Sequence, residues 1–446
     1  MFASATTDGG VGEGERVGIP ASRSSATAQK TNTRVEHDPD GEGKMTNRLL
    51  IGIAAAGALA LSATLAPSAS AEDDTILIGA ATATSGWMAP YDEGPTAAAR
   101  MAIDEINEAG GLLGKKLEMQ HVDTKTDRAQ GAKAGAELVA RGAQLLIVSC
   151  DFDMGGPPAL VANQNKIIAF SSCGADIKLG NKAIGPYVFT MATDAEASGS
   201  LVAHWGYHIK GWRTAYVFVD TIIEYNKSVC RGFDKEWVKI AGEENVLGRD
   251  SYKNDDPSVS AQITRFKSLE TPPDVIAICG VTPGFPAAIR QFRAAGIDTP
   301  MICGVSMDGD AWHDSVPAEH LNEVYYASYA SMRGDDPRPE IHKFVDDFTK
   351  RNGERPPTGQ GILGHSAVYS WARAVERAGT LDSDAVLAEL EKFTDEPLLA
   401  GLTTFTSEFH TNFLRPMLVF EFTNGKPIPQ GYYDPRIGEY VEWWTN

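Results

Sequence analysis

Short apolar runs alternate with segments of helical spacing through most of this chain. Ile76, Leu77 and Ile78 read as a strand. A loop of small and polar residues follows from Thr82 to Tyr91 and includes Ser85, Gly86, Trp87 and Pro90. Ala97, Ala98, Met101, Ala102, Ile103 and Ile106 then recur at the period of a helix. Gly110 and Gly111 close it, because a left-handed C-cap needs no side chain. The same pattern predicts strands over 116–122, 145–148, 167–170 and 188–191, with helices over 129–141 and 157–165. Pro157 and Pro158 suit the first turn of the second of these. Residues 174–185 read as a loop.

A second series starts near Ala195. Helices over 197–208, 226–241, 258–269 and 285–295 alternate with strands over 214–219, 245–252, 275–279, 301–304 and 324–329. Helices over 340–351, 364–378 and 383–393 come next. The stretch from Thr403 to Trp444 reads as strands and turns, with a strand over 417–422 and a hairpin turn at Asn424 and Gly425. Strands alternating with helices predict parallel α/β sheets, and two series of similar size predict two similar lobes. In such sheets ligands sit in loops at the carboxyl ends of strands, which makes Thr82 to Tyr91 a candidate site.

Composition adds limits. The chain has 446 residues, room for two or three domains. Apolar residues make up 43%, enough for a folded core. The net charge of −19 argues against nucleic-acid backbones and anionic membrane surfaces as partners. Residues 1–44 show no hydrophobic period and read as a tail or an upstream extension ahead of a true start at Met45. Arg48, the apolar run 49–65 and Ala69-Ser70-Ala71 have the order of a signal peptide cleaved near Ala71. No later run is long and apolar enough to span a bilayer, so the expected product is exported and soluble.

A search for catalytic and metal motifs finds little. No Walker loop, HExxH or CxxC occurs, and the nine histidines lack metal-ligand spacing. Ser306 lacks the second glycine of a nucleophile elbow. The cysteines say more. Cys150 and Cys173 follow two successive strands, and Cys279 and Cys303 end two more. Neighbouring parallel strands lie about 5 Å apart, within reach of a disulfide, and an exported setting permits oxidation. Each pair is therefore a disulfide candidate, the alternative being buried thiols. Cys230, on a helix, is left unpaired.

The strand at Ile78-Gly79, the loop at Ser85-Gly86, the helix ending Ala102-x-Asp104-x-Ile106-Asn107-x-x-Gly110-Gly111, and Ile289-Arg290-Gln291-x-Arg293-Ala294-Ala295-Gly296 form an ordered set behind a signal peptide. This set resembles the type I periplasmic binding proteins, in particular the branched-chain amino-acid-type substrate-binding proteins of ABC transporters. The resemblance covers nearly all of 74–446. It implies two Rossmann-like lobes joined by three crossings, near 190–195, 326–330 and 403–407, with a ligand cleft that closes on binding. Lobe 1 is then 74–193 plus 328–404, and lobe 2 is 194–327 plus 405–446.

Carried over residue by residue, the resemblance places a small hydroxyl position at Asp151. The pair that offers an amide and a threonine hydroxyl to an α-carboxylate falls at Cys173 and Ala175, around Gly174. An aromatic position falls at Tyr225, which matches. A tyrosine position falls near Val281, and the acid that pairs with an ammonium falls near Val305, with Asp308 the nearest acid. The amino-acid site is thus partly preserved. Trp87, Tyr91, Phe152, Phe285 and Trp312 add aromatic faces, and Asp151, Asp153 and Asp308 add acidity. Such faces and carboxylates suit a cationic or amide ligand, whereas Asp151 or Asp153 has an alternative role as a helix cap. Ser85 completes the candidate set.

The expected function is capture of a small molecule (amino acid, amide, amine or small organic acid) and delivery to an ABC permease. No cofactor, no metal and no catalysis are expected. A sensing receptor subunit of the same fold, and an enzyme with a spatially assembled site, are the alternatives.

Overall fold

The computed structural model describes residues 75–441. The tail over 1–44 and the signal peptide over 45–71 lie outside the described residues, as does Trp444.

The first series builds a five-stranded parallel sheet. Its elements are β1 (Thr75–Thr82), α1 (Ala89–Glu108), β2 (Lys116–Asp123), α2 (Arg128–Ala140), β3 (Leu145–Val148), α3 (Phe152–Gln164), β4 (Ile168–Ser171) and β5 (Val188–Thr190). The strand order is β2-β1-β3-β4-β5. Every residue of β3, β4 and β5 is buried, as expected of apolar runs covered on both faces.

The second series builds an eight-stranded sheet. It runs α4 (Ala195–Trp205), β6 (Ala215–Asp220), α5 (Glu224–Ala241), β7 (Val246–Tyr252), α6 (Ser260–Lys267), β8 (Val275–Cys279), α7 (Gly284–Ala294), β9 (Met301–Cys303) and β10 (Val324–Ser328). The chain then leaves for α8 (Pro339–Asn352), α9 (Gly361–Ala378), α10 (Ser383–Leu390) and the short hairpin of β11 (Glu396–Leu398) and β12 (Gly401–Thr403). It returns as β13 (Met417–Thr423), β14 (Lys426–Asp434) and β15 (Glu439–Val441), an antiparallel extension turned at Asn424-Gly425. The order is β15-β14-β13-β10-β9-β8-β6-β7.

Helix α9 packs on α1 of the first sheet. The contact requires Gly364, where a Cβ would sit 1.9 Å from the Pro95 carbonyl oxygen. The segments that join the two sheets are bonded to one another. Thr190 N donates to His410 O at 3.0 Å, Asp194 N to Asn412 O at 2.7 Å, and Thr193 N to the Tyr329 hydroxyl at 3.1 Å.

Three expectations need correction. Pro90 and Tyr91 belong to the first turn of α1 rather than to the preceding loop. Helix α3 starts at Phe152, not Pro157. Asp151 caps it by accepting from Asp153 N and Met154 N, so the prolines fall in its second turn.

The third correction concerns the cysteines. Cys150 and Cys173 are bonded, with Cα atoms 4.5 Å apart. Cys279, however, is bonded to Cys230 on α5, and Cys303 is a buried free thiol. Strand register explains the difference. Ala277 pairs with Ile302, so Cys303 lies level with Ile278 and Cys279 points to the opposite face. That opposite face is the one α5 covers, and it presents Cys230 at a Cα distance of 5.7 Å. Thiol counting under denaturing, non-reducing conditions should therefore find one free thiol per chain. Three or five would contradict this pairing.

Candidate functional site

The carboxyl ends of β1, β3 and β4 and the start of α1 form one wall of a cleft. The loops after β6, β8 and β9 form the other. Asp92 on α1 fixes the first wall. Its Oδ1 accepts from Cys150 N at 2.7 Å, and its Oδ2 accepts from Ala83 N at 2.7 Å and Ser149 Oγ at 2.6 Å. Burial raises the Asp92 pKa to about 6, against the pull of these three donors. The Cys150–Cys173 disulfide then ties the β3 and β4 ends together.

The walls meet. Tyr91 crosses from the first wall, its hydroxyl donating to Ser306 O at 3.3 Å and accepting from Thr282 N at 3.3 Å. Glu224 N donates to Asp153 Oδ2 at 2.9 Å, and Lys178 pairs with Glu224. Ser228 Oγ donates to the Asp176 carboxylate. Gln360, just before α9, reaches Val305 O at 3.4 Å.

Between the walls lies a small cavity, of about 30 Å³. Of the residues expected there, it brings together Trp87, Tyr91, Asp151, Cys173, Tyr225 and Val281. Met88, Ile223, Val305 and the other disulfide sulfur make its walls mostly apolar, and Ser306 and Gln360 add polar groups. Ser306 Oγ is already committed to Gly280 O at 2.6 Å.

Three buried polar atoms of the lining residues have no partner: Asp151 Oδ2, the Tyr225 hydroxyl and Gln360 Oε1. Leaving such atoms unpaired in a closed site is costly. Asp151 is 2% exposed. Its burial, with the neighbouring Asp153 and Asp176 carboxylates, pushes its pKa up to about 8, and the two capping N–H groups only partly offset this. Burial therefore favours the protonated form of the group. In that form Oδ1 accepts the cap bonds and Oδ2 has the proton to donate. Tyr225 is likewise held in its neutral form by burial. The cavity thus offers two O–H donors and one amide acceptor in apolar surroundings.

The other candidates lie elsewhere. Ser85 is exposed and donates to Asp123 Oδ2 at 2.8 Å. Phe152 is half-buried against Gly156, with the Lys178 ammonium 5.8 Å from its ring. Gly174 N donates to Ser171 Oγ at 2.9 Å, and Ala175 O accepts from Ala195 N at 2.8 Å. Phe285 sits in the second sheet's core against Trp312, at 4.8 Å between ring centres. Asp308 borders a neighbouring cavity with Thr282 and Trp312. Its Oδ2 accepts from Ser328 Oγ and Gly359 N, both at 2.7 Å, so it ties the walls together. Met88, Ile223 and Gln360 carry no local motif; only the assembled cleft reveals them.

Two α/β sheets facing one cleft, with unpaired polar atoms inside it, have the architecture of a binding protein. The sequence pattern of the periplasmic binding protein family matches residues 75–427, and the chain belongs to that family. Among its relatives, the Leu/Ile/Val-binding protein BraC3 of Rhizobium johnstonii is 24% identical over 349 residues, which cover 78% of this chain and 91% of that one. The fold matches that of the branched-chain amino acid transporter substrate-binding protein LivJ of Streptococcus pneumoniae, solved with isoleucine. There the TM-score is 0.71 at 21% identity, covering 81% of this chain and 100% of the other. It also matches a solute-binding protein from R. palustris solved with benzoate, with a TM-score of 0.66 at 17% identity over 80% and 96% of the two chains. Among the described residues no helix is long and apolar enough to cross a membrane.

Proposed function

We propose that this protein is an exported solute receptor. It captures a small molecule with a carboxylate head and an apolar body, closes on it, and presents it to an ABC transporter permease. One observation carries the reading: Asp151 Oδ2, the Tyr225 hydroxyl and Gln360 Oε1 are unpaired and belong to residues lining one apolar cavity. Two O–H donors suit a carboxylate. Gln360 suits a hydroxyl or ammonium beside it. Val305 and the neutral Asp151 leave the cavity without a charge partner for an ammonium, so acids lacking an amino group fit at least as well as amino acids.

The names of the relatives support the class, since they bind aliphatic amino acids or hold benzoate. Closure needs only a few kcal/mol of preference for the shut form, which the added contacts of the second wall supply. The reading includes no catalytic step, because the one serine in the cavity is bonded to a carbonyl.

A thermal-shift panel tests this with isoleucine, leucine, benzoate, 3,4-dihydroxybenzoate, acetamide and butylamine. At least one carboxylate is expected to raise the melting temperature, and a ligand at a thousandfold excess over its Kd stabilises by about 4 kcal/mol. A response confined to the amide or the amine would overturn the carboxylate assignment.

A further inference from the structure

A second cavity, of about 210 Å³, adjoins the small one in the cleft. Tyr91 lines both, so its side chain stands between them. The first, at about 30 Å³, has room for about two waters. That space suits the carboxylate head of a solute and is too small for an aryl or alkyl body. The second has Tyr91, Asp308, Trp312 and Thr358 as a buried floor. Glu93, Ala311 and Pro357 are exposed at its rim, so it reaches solvent.

The second cavity is also chemically unlike the first. Apart from the Thr358 hydroxyl, which is buried without a partner, the polar groups of its floor are committed. Trp312 Nε1 donates to Met307 O at 2.9 Å, and Asp308 Oδ2 accepts from Ser328 and Gly359. Asp310, beside the floor, pairs with Arg333 and Arg355. What these bonds leave is aromatic and aliphatic surface from Tyr91, Trp312, Pro357 and Ala311. Such surface holds the apolar part of a molecule and offers little to a charged head.

The partition is lightly held. The Tyr91 hydroxyl contacts Thr282 N, Thr282 Oγ1 and Ser306 O, each at 3.3 Å. Hydrogen bonds of ordinary strength are shorter, about 2.7–3.2 Å for N–H donors and less for O–H donors. Turning this ring aside therefore gives up little and joins the two spaces.

We propose that the two cavities form one bipartite solute site, with Tyr91 as its movable partition. The inference rests on the carboxylate reading of the cleft and names the solute class more narrowly. The carboxylate sits in the first cavity, and the apolar body passes Tyr91 to lie against Trp312 in the second. The solutes that fit are acids whose aryl or alkyl body extends several carbons beyond the head, such as arylalkanoates.

Calorimetric titration with benzoate, 3-phenylpropanoate and 4-phenylbutanoate tests this. Burying a methylene group strengthens binding about fourfold, so Kd is expected to fall about fourfold for each one added across the series. Ala311→Trp fills the second cavity from its rim, and Ala311 does not line the first. Because Ala311 is exposed, the melting temperature without ligand is expected to stay at the parent's value. The variant should lose the gain with length and bind 4-phenylbutanoate at least about tenfold more weakly than the parent. Ala311→Ser adds little bulk and should keep the parent's series. A parent series without the gain, or the full gain in folded Ala311→Trp, would overturn the bipartite site. The cleft reading survives that result if benzoate still binds and Val281→Trp abolishes its binding. Failure of every carboxylate to bind the parent would overturn both.

Discussion

A carboxylate ligand in the cleft is expected to bind progressively more weakly as the pH rises through about 8. Below that pH Asp151 is protonated and its free oxygen donates to the ligand. Above it the side chain is an anion facing an anion, and the donor is gone. The loss approaches about tenfold in affinity per pH unit above the pKa. Asp151→Asn keeps the oxygen that caps α3 and replaces the acidic O–H with an N–H donor. Its affinity is expected to stay flat over the same range. Stability follows the same titration. The folded-state pKa of Asp151 is raised above its unfolded value, so its favourable contribution is complete below about pH 4. That contribution is lost as the pH rises toward about 8. The asparagine variant should thus be more stable than the parent at pH 7, by about 4 kcal/mol (roughly 1.4 kcal/mol per pH unit above the unfolded pKa), with the difference vanishing near pH 4. Calorimetric titration and urea melts across pH check both halves. Affinity that climbs as Asp151 ionises would show a cationic ligand instead.

Tyr225→Phe is expected to separate binding from folding. The Tyr225 hydroxyl is buried beside Ser306 without a hydrogen bond of ordinary geometry, so its removal leaves no protein group newly unpaired. Stability without ligand should hold or rise slightly. With ligand, a charge-assisted hydrogen bond is lost, about 1.5–3 kcal/mol, or roughly 10- to 100-fold in Kd. A variant that folds normally and binds as tightly as the parent would remove Tyr225 from the site. A structural role alone would instead lower the melting temperature and leave Kd unchanged.

The α/β order was legible because apolar periodicity is a local signal. The apolar runs 145–148 and 275–279 coincide with strands of the fold. What failed was geometry that depends on parity or on competition between local rules. Asp151 as a cap and Pro157 as a first-turn residue both start a helix, and the cap won because it satisfies two orphan N–H groups. Cys279 and Cys303 end adjacent strands, but a one-residue offset puts them on opposite faces, and sequence spacing does not reveal register. Within the cleft, Trp87, Tyr91 and Tyr225 stand in loops or first turns at strand ends and could be anticipated. Asp92 and Gln360 could not, because their roles depend on three elements meeting. Asp308 looked like a ligand acid in sequence, yet both of its bonds run to Ser328 and Gly359.

The solute is expected to bind in the cavity between Tyr225 and Trp87. Calorimetric titration of the parent and of Val281→Trp with benzoate and with isoleucine tests it most directly. Val281 lines the cavity, and an indole there fills it. The parent is expected to show one saturable site per chain for at least one of the two acids, and the folded variant to lose that binding. Equal affinity in parent and variant would place the solute elsewhere and contradict the account.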